Sequence, residues 1–212
     1  MSTRMFTRAL APMAVAALLV LSGCGSDAPE AGPMMGAGSA SADHNAADVS
    51  FAQDMIPHHQ QALVMSDVAI DGAQTQELQD LAKRIKAAQT PEIDQMAGWL
   101  ESWGEPVPDS DSSGHMMMGG DTDTDTDYGM PGMMDAGQMQ RIRGMMGGGM
   151  AFDRMWVLMM IRHHEGAIQM AKDEQANGQS ADAIALAQSI EESQTAEIAT
   201  MKQMLRDWQN QG

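Results

Sequence analysis

Two stretches decide the fold: Phe51-Ala52-Gln53-Asp54-Met55-Ile56-Pro57-His58-His59-Gln60-Gln61-Ala62-Leu63-Val64-Met65 and Trp156-Val157-Leu158-Met159-Met160-Ile161-Arg162-His163-His164-Glu165-Gly166-Ala167-Ile168-Gln169-Met170. Laid on each other at an offset of 105 residues, they pair Met55 with Met160, His58 with His163, His59 with His164, Ala62 with Ala167 and Met65 with Met170. The register holds without a gap through Leu81/Leu186, Ile85/Ile190, Gln89/Gln194, Thr90/Thr195, Glu92/Glu197, Ile93/Ile198, Met96/Met201, Leu100/Leu205 and Trp103/Trp208. Matching at one fixed offset over this length is an internal duplication.

Working outward, each copy runs over about 57 to 61 residues, 48–104 and 150–210, low in Gly and with apolar side chains at helical spacing. A turn signal interrupts each one, Asp71-Gly72 and Asn177-Gly178, so each copy is predicted to be an αα-hairpin. A hairpin with one apolar stripe per helix cannot cover that stripe alone. The expected fold is therefore all-α, a four-helix bundle made of two duplicated hairpins packed face to face.

At about 100° per residue, Phe51, Met55, His58, Ala62, Met65 and Ala69 share one face of the first helix, with Pro57 expected to begin or kink it. The third helix repeats the stripe with Phe152, Trp156, Met159, Met160, His163, Ala167 and Met170. His59 and His164 fall about 100° off these centre lines and are expected at the seams. Counting outward from the turns sets His58 near Gln89 and His163 near Gln194 and Glu197, so Gln89, Gln194, Glu92 and Glu197 are the expected partners that orient the imidazoles.

Thioether sulfur and imidazole nitrogen suit Cu(I), whereas Cu(II) prefers nitrogen and oxygen. The expected ligand set is His58, His163, Met65, Met170, Met159, Met160 and Met55, with His59 and His164 at its edge. For any single Met, flexible core filling is the commoner role. Repetition of His within Met-lined stripes in both copies, beside a Glu, favours the metal.

The chain around the hairpins is of another kind. Arg4 and Arg8 precede an apolar run from Ala9 to Leu21, too short to span a bilayer comfortably, ending in Leu21-Ser22-Gly23-Cys24. Residues 1–23 read as a lipoprotein signal peptide, and Cys24 as the lipidated first residue of a protein anchored to the cell membrane outside the cytoplasm. Cys24 is the sole cysteine, so no disulfide forms within one chain. Residues 24–47 are rich in Gly, Ala, Ser and Pro and read as a flexible tether.

Residues 105–149 read as a disordered, Met-, Gly- and Asp-rich linker. Its His115, Met116, Met117, Met118, Met130, Met133, Met134, Met145 and Met146 suggest a mobile arm that captures Cu(I). An EF-hand loop starting at Asp123 would need Gly at Tyr128 and Glu at Met134, so the run Asp121 to Asp127 reads as a solvated spacer.

The whole chain carries 12 basic and 29 acidic residues; without residues 1–23 it has 10 basic residues and a net charge of −19. That excess of carboxylates attracts cations and opposes nucleic acid. No Glu-x-x-His motif of a carboxylate-bridged iron or manganese enzyme occurs. There is also no phosphate-binding Gly loop and no Ser/His/Asp set, so the expectation is a non-enzymatic metal-binding protein. Two other readings compete: a redox enzyme acting at a bound metal, and a structural bundle that binds none.

These paired motifs, together with Gln89-Thr90-x-Glu92-Ile93-x-x-Met96 and its copy Gln194-Thr195-x-Glu197-Ile198-x-x-Met201, resemble the domain of unknown function 305 family. The resemblance implies a ferritin-like four-helix bundle. Some members of that family are exported copper-binding proteins using Met and His, which implies copper sequestration or transfer here.

Overall fold

The computed structural model describes residues 44–108 and 130–210. Among them are four long helices, α1 (Ala46–Gly72), α2 (Gln76–Trp103), α4 (Met150–Asn177) and α5 (Ala181–Asn210), and one short helix, α3 (Ala136–Gly144). α1 packs along α2, α4 along α5, and the hairpins join chiefly through α1 against α4. No helix among the described residues is long and apolar enough to cross a membrane. Cys24, the signal segment, His115 and Met116 to Met118 lie outside the described residues.

Asn45 starts α1 with a capping box: its side chain accepts from the Ala47 and Asp48 amides, and Asp48 accepts from the Asn45 amide. The ordered chain thus enters the stretch expected as a tether, and His44 stacks on Trp103 at 4.5 Å between ring centroids. α1 runs unbroken through Pro57, which neither begins nor ends it. Proline there removes one helical donor at a cost of about 3 kcal/mol. Burial of Met55, Ile56 and Pro57 along that turn offsets it.

α1 and α4 run antiparallel, with His58 and His163 at the crossing. Seven residues from His58 in one direction, the Trp156 indole N–H donates to the Met65 carbonyl at 2.8 Å. In the other direction, Asp48 reaches the α4–α5 turn. One apolar cluster, with Met65, Phe152, Trp156 and Met160, lies to one side of the histidines; another, with Phe51, Met55, Met96 and Leu186, lies to the other.

Two acids tie the hairpins to each other. Asp153, on the first turn of α4, accepts from the Gln74 and Thr75 amides and the Thr75 hydroxyl at 2.7 to 2.9 Å, holding the start of α2. Asp48, on α1, does the same at the start of α5, accepting from the Gln179 and Ser180 amides at 2.9 to 3.2 Å. The two acids stand 105 residues apart, the offset of the duplication. Each copy therefore caps the second helix of the other, where helix N-termini expose unsatisfied donors.

Residues 130–149 depart from the disordered linker expected there. Asp135 and Gln138 form a capping box that starts α3. Met139 and Ile142 are buried in the core cluster around Met65 and Trp156, with Met134 beside them and Met145 packed against it. The apolar burial offsets the entropy of ordering this segment. Met134 and Met145 thus belong to the fold, whereas Met146 stays exposed and Met130 and Met133 lie partly exposed.

Candidate metal centre

The bundle centre holds four histidines, all buried: His58 and His59 from α1, His163 and His164 from α4. His58 and His163 lie face to face, ring centroids 3.8 Å apart and tilted by 38°. The His163 and His164 rings are 6.5 Å apart. Consecutive histidines on one helix point about 100° apart. The first of each pair therefore turns toward the other hairpin, and the second toward its own.

The glutamates serve the second histidine of each pair, not the first. His59 Nε2 donates to Glu92 Oε2 at 2.8 Å, and His164 Nε2 donates to Glu197 Oε2 at 2.7 Å. The counting from the turns misplaced this contact by about one helical turn, because the α1–α2 and α4–α5 connections occupy Ala73–Thr75 and Gly178–Ser180. His59 and His164 are thus buried at the seams with α2 and α5, where their offset from the stripe puts them.

Several buried polar atoms have no hydrogen-bond partner among the described residues: Nδ1 of His58, His59 and His164, both ring nitrogens of His163, and Oε1 of Gln89 and Gln194. A buried group left unpaired costs about 1–3 kcal/mol. A cluster of such lone pairs is a donor set lacking an acceptor of electron density. Burial, then His59 and His164, push the His58 imidazole down to about 3, outweighing the raising effect of its bond to Pro131. His163 is pushed well below its ordinary value by burial first and then by the three other histidines. Both rings stay neutral at physiological pH, the state in which imidazole ligates a metal.

Met55, Met65 and Met160 are fully buried in the clusters flanking the histidines. Met159 is only partly buried. Met170 also reaches away from the centre, lining a surface pocket of about 170 Å³ with Phe51, Asp54 and Glu174. Among the described residues no group of three or more His, Cys, Asp or Glu side chains is arranged as a ready metal cage. The donors gathered at the centre are chiefly imidazole and thioether, which suit a soft ion of low coordination number, whereas a hard ion needs six or more oxygens.

Three contributors were not evident from the sequence pattern. The segment Pro131–Met134 lies across one side of the centre, where the Pro131 carbonyl accepts from His58 Nε2 at 3.2 Å. Gln61 holds this strap through a paired amide contact, donating to the Met134 carbonyl and accepting from the Met134 amide, both at 2.8 Å. Gly166 occupies in the second copy the place of Gln61 in the first, and a Cβ there would stand 1.9 Å from the Pro131 carbonyl oxygen. The difference between Gln61 and Gly166 is the signal in the sequence for a segment seated on one side of a near-symmetric bundle.

A family model described as "Domain of unknown function (DUF305)" matches residues 48–205. No curated protein matches the chain. Among solved structures, the chain is similar to a DUF305 protein from Streptomyces coelicolor, described as a candidate secreted protein, at 32% identity and a TM-score of 0.64; the match covers 76% of this chain and 93% of that one. It is also similar to CopM in the Cu(II)-bound form, at 34% identity and a TM-score of 0.61, covering 76% and 97%. CopM in the Cu(I)-bound form matches at 31% identity and a TM-score of 0.59, covering 76% and 96%.

Proposed function

From the premise that the chain belongs to the DUF305 family, we propose that it is an exported, lipid-anchored protein that sequesters or hands on copper, chiefly as Cu(I), and catalyses no reaction. The observation that carries this reading is the set of imidazole nitrogens at the bundle centre that have no partner among the described residues, with the His58 and His163 rings neutral. His58 and His163 are the central ligands, His59 and His164 the adjacent ones held by Glu92 and Glu197, and Met55, Met65 and Met160 the nearby thioethers. Met159 and Met170, set further out, serve as outer thioethers on the way to the centre.

Copper is the cargo. The buried, neutral imidazoles of His58 and His163 favour the singly charged ion, whose desolvation costs less than that of a divalent one. The His58 and His163 rings lie 3.8 Å apart between centroids, tilted by 38°, close enough for one ion to engage both. The similarity to copper-bound CopM supports the choice of metal. Met130, Met133 and Met146, partly or largely exposed, together with His115 and Met116 to Met118, would first capture the ion. Cys24 would carry the lipid, which intact-mass measurement of the membrane-extracted protein checks.

Anaerobic titration of Cu(I) against a competing chelator tests the central claim. The variant H58A/H163A is expected to bind at least tenfold more weakly than the parent. Equal affinity of the two proteins for the ion would overturn the assignment.

A further inference from the structure

The strap Pro131–Met134 makes the two central histidines chemically unequal. A carbonyl oxygen can only accept, so the 3.2 Å contact between Pro131 O and His58 Nε2 requires the proton to sit on Nε2. The Nδ1 lone pair of His58 then faces the bundle interior, with no donor among the described residues to engage it. His163 has no hydrogen-bond partner at either nitrogen among the described residues, so nothing fixes its proton.

The strap is itself held from two sides. The Gln61 amide pairs with both backbone groups of Met134. Opposite, Gly132 adopts φ +79° and seats against α4 where Gly166 lacks a side chain; a Cβ on Gly132 would approach the Arg162 carbonyl oxygen to 2.5 Å. At the corresponding place in the other copy a Gln side chain stands instead of Gly, so one molecule has room for a single strap.

From this geometry we propose that Gln61 is a positioning residue that acts through the Pro131 carbonyl to hold His58 in its Nε2–H tautomer, so that His58 offers copper its Nδ1 atom. The assignment of the ligand atom rests on the copper reading above; the tautomer does not. Glu92 and Glu197 do the same for His59 and His164, whose Nε2 protons are likewise engaged and whose Nδ1 atoms are unpartnered. Three of the four imidazoles thus present the same nitrogen, and His163 alone can present either. Partners that fix a ligand's tautomer typically contribute about 10–100-fold to metal affinity.

Long-range nitrogen–proton spectra of ¹⁵N-labelled protein give the tautomer of each histidine directly, with Ag(I) as a diamagnetic probe ion. The expected result is an Nε2–H tautomer for His58 in the metal-free protein and an Ag(I)-induced shift at its Nδ1. Gln61→Met, of similar volume but unable to pair with Met134, should give His58 a mixture of tautomers and weaken Ag(I) at least tenfold. His164, held by Glu197, should keep its tautomer in that variant, which separates loss of positioning from general unfolding. The parent protein's spectrum decides even where the variant fails to fold.

An Nδ1–H tautomer for His58 in the parent overturns the inference whatever the metal does. So does an Ag(I) shift at His58 Nε2, or a Gln61→Met protein with both tautomer and affinity unchanged. Ag(I) shifting no imidazole of the parent would overturn the metal reading and the ligand atom with it, while an Nε2–H His58 in the same sample would still support the positioning role of Gln61.

Discussion

Replacing His163 with Leu is expected to make the metal-free protein more stable while weakening its hold on copper. His163 is 1% exposed and neither ring nitrogen has a hydrogen-bond partner among the described residues. Each buried, unpaired nitrogen costs about 1–3 kcal/mol, and substitution by an apolar side chain of similar volume recovers part of that. Misfit of the new side chain takes back up to about 1.5 kcal/mol. The expected net gain is about 1–2 kcal/mol, or roughly 2–8 °C in melting temperature for a domain of this size. Metal works against that gain: ligand at a hundred times the parent's Kd stabilises the parent by about 2.7 kcal/mol, and a variant binding tenfold more weakly by only about 1.4 kcal/mol. Calorimetric melting of both proteins, with Cu(I) withheld or supplied anaerobically, reads both effects. A metal-free His163→Leu protein melting several degrees below the parent would refute the reasoning, because it would mean the ring nitrogens are already satisfied.

Acid should destabilise the metal-free bundle through its central histidines. His58 is held at about 3, so between pH 6.5 and 3 the unfolded chain takes up a proton that the folded one refuses. That stability is complete above pH 6.5 and is lost as pH falls, at about 1.4 kcal/mol per pH unit for each such histidine, which urea titrations at stepped pH will show. Glu174 has the opposite sign. Burial and then the facing Asp48 raise it to about 8 from an ordinary value of 4.5, so its contribution is present at low pH and is lost as pH rises toward 8. Glu174→Gln should therefore gain stability over the parent at pH 8.5 and little at pH 5, measured the same way. Asp153→Ala removes a carboxylate that accepts three hydrogen bonds and should cost about 3 kcal/mol in denaturant unfolding. Gly166→Ala places a methyl against Pro131 and should displace the strap at a cost of about 1–3 kcal/mol, with faster hydrogen exchange at the Met134 amide as the specific sign.

Much of this architecture was legible because a duplication repeats its own evidence. One offset of 105 aligned the histidines, the glutamates and the core methionines, and helical periodicity then put His58 and His163 on facing stripes. The same offset relates Asp48 to Asp153, but an acid in a first helical turn looks like ordinary capping until the opposite turn comes within reach. The choice of histidine for each glutamate depended on the turn centre to within two residues, which a dipeptide signal does not fix. Periodicity also undervalued His59 and His164: a residue 100° off the stripe is exposed on a lone helix and buried where α2 or α5 closes the seam. In residues 130–149 the Gly and Met content concealed a helix that Asp135 and Gln138 announce as a capping pair and that Met139 and Ile142 anchor.

The reciprocal contacts of Asp48 and Asp153 bear on how this molecule came to be one chain. Each acid satisfies donors in the other repeat and none in its own second helix, so a single repeat would leave one set of amide donors and one carboxylate waiting for a second copy. Two identical repeats meeting about a two-fold axis would complete both contacts at once, as a closed symmetric dimer. The present protein has the contact pattern of such a dimer fused end to end. In a single chain the two halves can differ, Gln61 in one and Gly166 in the other, so that a connection between them settles on one side of the axis. A dimer of identical chains would carry the same residue at both places and could not have made that distinction.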